Sequence, residues 1–86
     1  MRRQTLAALR ALRWRNAPNV HALQARAGVG WTTPSRDTLR ILRRDGFILW
    51  DSAGRDWSNI RLTPEGRSLL QRAEAEHFAE SLNQPA

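Results

Sequence analysis

Only one stretch of this chain reads as extended strand, and it is bracketed by helix signals on both sides. Phe47-Ile48-Leu49-Trp50 is an apolar run of strand length, Asp51 to Asp56 is rich in turn residues, and Trp57 to Leu62 alternates Ile60 and Leu62 with Arg61. A single hairpin has no second sheet to pack against, so it must bury its apolar face on helices. The rest of the chain supplies them. Leu6, Ala8, Leu9 and Leu12 recur near helical spacing, with Arg10 and Arg13 on the other side, and predict a helix over 3–14. Asn19 is placed to cap a second helix, Val20 to Ala27, and Gly28-Val29-Gly30 is expected to stop it through a left-handed glycine. Thr33-Pro34 reads as cap and first residue of a third helix that ends at Gly46. Thr63-Pro64-Glu65 repeats the signal for a last helix, 63–82, ahead of a frayed tail, 83–86. The expected fold is α+β and mostly helical: helix, helix, helix, hairpin, helix, in one domain over 1–82.

At 86 residues the chain supports one modest core. It has no cysteine, hence no disulfide framework and no thiolate metal site, which agrees with a cytoplasmic location. His21 and His77 have no further ligand types nearby in sequence, and no nucleophile–base pattern or phosphate loop appears. The expectation is therefore no enzyme, no metal and no cofactor. The basic N-terminus is followed by a Leu/Ala pattern broken by arginines, and no apolar run reaches the roughly 20 residues of a membrane span.

Charge is distributed unevenly. Residues 1–44 hold ten arginines against Asp37 alone, and residues 45–86 hold four arginines against seven acids, giving +9 and −3 within a net +6. Such a chain has one anion-facing side. Every basic residue is arginine, as a GC-rich coding sequence also produces; its planar fork suits phosphates and guanine edges. On a helix over 34–45, Arg36, Arg40, Arg43 and Arg44 fall within an arc of about 100°, with Leu39 and Leu42 facing roughly the other way.

Three stretches resemble the winged helix-turn-helix transcriptional regulators, in particular the multiple-antibiotic-resistance and phenolic-acid regulator families and small phage regulators. Leu23 to Val29 is similar to the end of their second helix and its turn. Leu42-Arg43-Arg44-Asp45-Gly46-Phe47-Ile48 resembles the close of the recognition helix, and Leu62-Thr63-Pro64-Glu65-Gly66-Arg67 the entry from wing to next helix. Trp31 in the turn departs from the pattern, and so do Asp51 and Asp56 around the single Arg55 of the wing tip. The resemblance implies a helix-turn-helix over 19–46, a wing over 47–62, and double-stranded DNA as partner. Ser35, Arg36 and Arg40 are then expected at base edges, and Thr33, Arg43, Arg44 and Arg55 at phosphates. Arg2, Arg3, Arg10, Arg13 and Arg15 add either phosphate contacts or plain solubility. The leading expectation is a regulator that represses by occupying a promoter. The rival is a protein-interaction module whose arginines meet an acidic surface, or an accessory nucleic-acid-binding factor.

Two further expectations concern apolar residues. A tight turn at Ala53-Gly54 pairs Trp50 with Trp57 and Leu49 with Ser58, either bracing the hairpin or forming a partner patch. Trp14 and Trp31 are assigned to the core or its edge. The last helix has one stripe, Leu69, Leu70 and Ala73, for the core. Ala75, Phe78 and Leu82 form a second stripe, expected either at a homodimer interface completed by Leu6 and Leu9 or folded back on the first helix.

Overall fold

A computed structural model describes residues 1–29, 31–51 and 57–83, with side chains through Glu76. Among these residues the elements are α1 (Arg3–Ala11), α2 (Val20–Gly28), α3 (Arg36–Arg44), β1 (Ile48–Asp51), β2 (Ser58–Leu62) and α4 (Pro64–Asn83), a mostly helical α+β fold. Ala53, Gly54, Arg55 and Asp56, on which the tight turn and the tip contacts were expected, lie outside the described residues.

The core forms where α1, α2, α3 and the hairpin meet. Leu9, Leu23, Leu39, Ile48 and Ile60 are completely buried, and Leu70 of α4 joins them. α1 is shorter than the spacing predicts. It stops at Ala11, and the Leu12 N–H bonds to the Leu9 carbonyl in a tightened final turn. Leu12 is buried as the cap residue, so its apolar side chain serves the core without extending the helix. The Arg26 guanidinium, from α2, donates to the carbonyls of Ala11 (2.8 Å) and Arg15 (3.1 Å), supplying partners for the end of α1. The chain then reaches Ala17, which exchanges two 2.8 Å backbone hydrogen bonds with Ile60, adding one bridge to the free side of β2.

α2 begins as expected, with Asn19 Oδ1 accepting from the Ala22 N–H at 2.8 Å. It ends at Gly28 with Val29 as its cap residue at φ −65, and Gly30, the other glycine expected to stop it, lies outside the described residues. A Cβ on Gly28 would come within 2.6 Å of Thr33 Oγ1, so a larger residue there must displace the Thr33 side chain.

α3 also starts later than predicted. Ser35, not Thr33, is its cap: Ser35 Oγ accepts from the Thr38 N–H at 3.1 Å. Pro34 is buried just before it, and its carbonyl accepts from Gln24 Nε2. Gln4 of α1 fixes this start, its Oε1 accepting from the Ser35 N–H (2.9 Å) and the Thr38 hydroxyl (3.0 Å). The other end follows the expectation. Gly46, at φ +85, lets the Gly46 and Phe47 N–H groups return to the carbonyls of Arg43 and Leu42.

The hairpin register differs from the expected one. Ile48 pairs with Leu62 and Leu49 with Arg61, then an irregularity brings Asp51 opposite Ser58. Trp57 and Asn59 stand at φ 49 and 56, left-handed conformations that bend β2 and shift its pairing. Ile48, Ile60 and Leu62 consequently share the buried side, and Leu49 is exposed. At the α4 junction Thr63 caps as expected, its hydroxyl accepting from the Gly66 N–H (3.0 Å) and donating to the Gly46 carbonyl (2.6 Å). Gly66 is needed because a Cβ there would collide with the Phe47 carbonyl oxygen.

Candidate nucleic-acid interface

The arginines of α3 occupy the surface that burial of Leu39 and Leu42 dictates. Both leucines are in the core, and Arg40, Arg43 and Arg44 are exposed, with Arg36 half-buried. The direction opposite the buried pair falls between Arg44 and Asp37, with Arg40 and Ile41 on either side of them. Arg36 and Arg43 lie to one side, toward the hairpin. Ile41 was not singled out from the sequence; its position on the solvated side of α3 leaves it 45 % exposed.

The hairpin meets these arginines with a pair of indoles. Trp50 and Trp57 stack with ring centroids 4.3 Å apart and planes within 5°. The pair therefore forms, although the two residues are not the directly opposed partners that a tight turn implied. Guanidinium carbons of Arg36 and Arg40 lie 5.1 and 5.3 Å from the Trp57 centroid, and that of Arg43 lies 4.7 Å from the Trp50 centroid. Each such contact is worth about 0.5–1 kcal/mol at an exposed site. Its larger consequence is geometric, because a flat ring under a flat guanidinium restricts a side chain that otherwise samples many rotamers. The Trp pair thus braces more than the hairpin: it carries the arginines of a neighbouring helix.

Acids moderate the remaining charge. Arg40 Nη1 lies 2.9 Å from Asp37, and Arg44 Nε 3.2 Å from Asp45. Both are surface pairs of the kind that contribute about 0–1 kcal/mol, which an arriving anion readily replaces. On the hairpin, Asp51 accepts from Arg61 Nη1 (3.2 Å) and Asn59 Nδ2 (3.4 Å), so its charge is partly answered within β2. Arg40, Arg43, Arg44 and Trp50 line an open groove of about 290 Å³, large enough for a phosphate group.

The other expected residues divide. Ser35 is exposed at the start of α3, but its hydroxyl is engaged as the cap and with the Thr38 hydroxyl at 3.1 Å. Thr33 is exposed ahead of that cap. Arg55 lies outside the described residues. Arg10 and Arg13 converge on Glu74 of α4, the first at 3.5 Å, which ties them to this chain's own acid. Trp14 and Trp31 are not core residues: Trp14 sits past the end of α1 and Trp31 in the turn before α3, both exposed. Among the described residues no group of three His, Cys, Asp or Glu side chains is arranged to hold a metal ion, and no helix is long and apolar enough to cross a membrane. Comparison with protein-family models, curated proteins and solved structures returned no match.

Proposed function

We propose that the chain is a winged helix-turn-helix module that binds double-stranded DNA, entering the major groove with α3, and that it regulates transcription by occupying a promoter. One observation carries this reading. α3 buries its leucines and offers solvent a face of Arg40, Arg44, Asp37 and Ile41, with Arg36 and Arg43 laid over a rigid indole pair. A helix of this width fits the major groove, where guanidinium forks match guanine and an apolar side chain meets a thymine methyl. The element order, three helices, a hairpin and a fourth helix, with a bridge from Ala17 to the free side of β2, supports the winged-helix reading. Arg40, Arg36 and Ser35 are assigned to base edges with Ile41 following Arg40, and Arg43 and Arg44, with the exposed Thr33, to phosphates.

The test is titration of duplex DNA against salt, on a site selected from random sequence. A DNA reader shows a steep fall of log affinity with log salt. Arg36→Ala and Arg40→Ala each cost about 1–3 kcal/mol on the selected site and relax its base preference locally. Arg44→Ala weakens all sequences alike and lowers the salt slope by about one. With Asp51 and Asp56 flanking it, Arg55→Ala costs less than Arg40→Ala. Weak, salt-insensitive duplex binding at moderate salt refutes the reading and favours a module whose arginines meet an acidic protein surface.

A further inference from the structure

A second surface, separate from α3, is apolar where a chain of this size normally hides such residues. Trp14 is 86 % exposed, Val29 82 % and Trp31 41 %. They border a groove of about 330 Å³ between α1 and the end of α2, whose floor includes the alanines Ala7, Ala11 and Ala27. Arg10, Arg15 and Arg26 line it, and no acid does. Exposed indoles beside arginines are the residue types that dominate protein interfaces, and a contiguous apolar patch with a charged rim marks one.

We infer that this groove is a docking site for an acidic, amphipathic α-helix of a protein partner. The alanine floor gives the ridge of a helix room to approach closely, with Trp14, Trp31 and Val29 as walls for its apolar side chains. The rim selects charge. Arg10 faces Glu74 and lies 5.3 Å from the Trp31 ring, and the Arg26 guanidinium donates to the carbonyls of Ala11, Arg15 and Asn16, so the exposed Arg15 side chain is the one placed to meet a carboxylate, with the fixed Arg26 charge behind it. Burial and, less, the neighbouring Arg15 hold the Arg26 pKa below its ordinary value, and a carboxylate placed beside the two arginines offsets the second of these causes. A single-stranded nucleic acid fits less well, because the alanine floor offers nothing to phosphates and Arg13 as well as Arg10 is tied to Glu74. This inference does not rest on the DNA-binding reading, since the groove shares no residue with the α3 face.

The experiment follows the four indole N–H signals of the full chain by NMR. The probe is a synthetic helical peptide of about five turns with leucines along one stripe and glutamates elsewhere. The expected result is movement of the Trp14 and Trp31 signals, not those of Trp50 and Trp57, with a Kd on the order of micromolar. Arg15→Glu and Trp14→Ala, both at exposed side chains, weaken it about tenfold or more while the amide spectrum stays folded. The same peptide with lysine for every glutamate leaves the signals unmoved. No movement with the acidic peptide overturns the inference. Equal movement with the lysine version does too, by showing unselective apolar contact. Tighter binding of oligo-deoxythymidine assigns the groove to nucleic acid instead. Trp14 and Trp31 signals that shift with protein concentration alone, with doubled mass, assign it to a second copy.

Discussion

The indole of Trp57 supports two guanidiniums at once, and replacing it separates support from mere filling. Trp57→Leu keeps an apolar side chain, though a smaller one, but removes the flat face beneath Arg36 and Arg40. Affinity for a selected duplex is expected to fall by about 1–3 kcal/mol, the cost of ordering two released arginine side chains on binding, with the salt slope unchanged because no charge is lost. Trp57→Phe should recover most of it. Urea melts of the same variants report stability separately, and an affinity loss that merely tracks unfolding would assign Trp57 to the core alone. Glycines give a second test at this scale. Gly66→Ala places a methyl against the Phe47 carbonyl, at the point where the Thr63 N–H bonds that same oxygen. It should cost about 2 kcal/mol or more in urea unfolding. Gly46→Ala meets nothing within 4 Å and suffers only its φ of +85, so about 1 kcal/mol is expected.

At the scale of elements, the start of α3 matters most because it sets the phase of every arginine after it. Ser35→Ala removes the cap and should cost about 1 kcal/mol, Ser35→Asp should retain it, and Thr33→Ala should change stability little. Thermal melts decide among these, and a larger loss at Thr33 would restore it as the cap. The sequence favoured Thr33 because Thr-Pro is the commoner local signal. The deciding contact comes from Gln4, 31 positions away, which no local pattern shows. What helical periodicity controls was legible: the arginine side of α3, the burial of Leu39 and Leu42, the caps at Asn19 and Thr63, and the stop at Gly46. What depends on backbone angles of individual residues was not. Trp57 and Asn59 adopt left-handed conformations without being glycine, so alternation in 57–62 could not give the register. Nor does spacing tell an exposed tryptophan from a buried one when the helix ends early. α1 closes at Ala11, and Trp14, assigned to the core or its edge, stands past that end and is exposed.

For the whole molecule, the basic α3 face and the acidic last helix bear on how copies would combine if the proposed DNA binding holds. α4 rests on α1 through the side that carries Leu69 and Leu70, locked by Arg10 and Arg13 on Glu74. Directly after that pair, Ala75 and Glu76 are exposed, and the helix continues to Asn83. Phe78 and Leu82 follow Ala75 at helical spacing, though their side chains lie outside the described ones. Leu9 was expected to help complete an interface, but it is wholly buried in its own core, which leaves the half-buried Leu6 as the contribution of α1. We propose that the module pairs through the Ala75, Phe78 and Leu82 stripe about a two-fold axis. Glu76, exposed next to Ala75, carries the wrong charge for DNA, and two-fold pairing of a DNA-binding module would place two copies of α3 about 34 Å apart, one turn of duplex. Light scattering at tens of micromolar tests it on the wild type and on Phe78→Glu/Leu82→Glu. The expected result is a dimeric wild type and a monomeric double variant that still binds a half-site, more weakly than the dimer binds the palindrome. A wild-type mass near the 9.8 kDa of one chain sinks the dimer, and the stripe then belongs folded back on α1. A double variant that stays dimeric removes α4 from the interface.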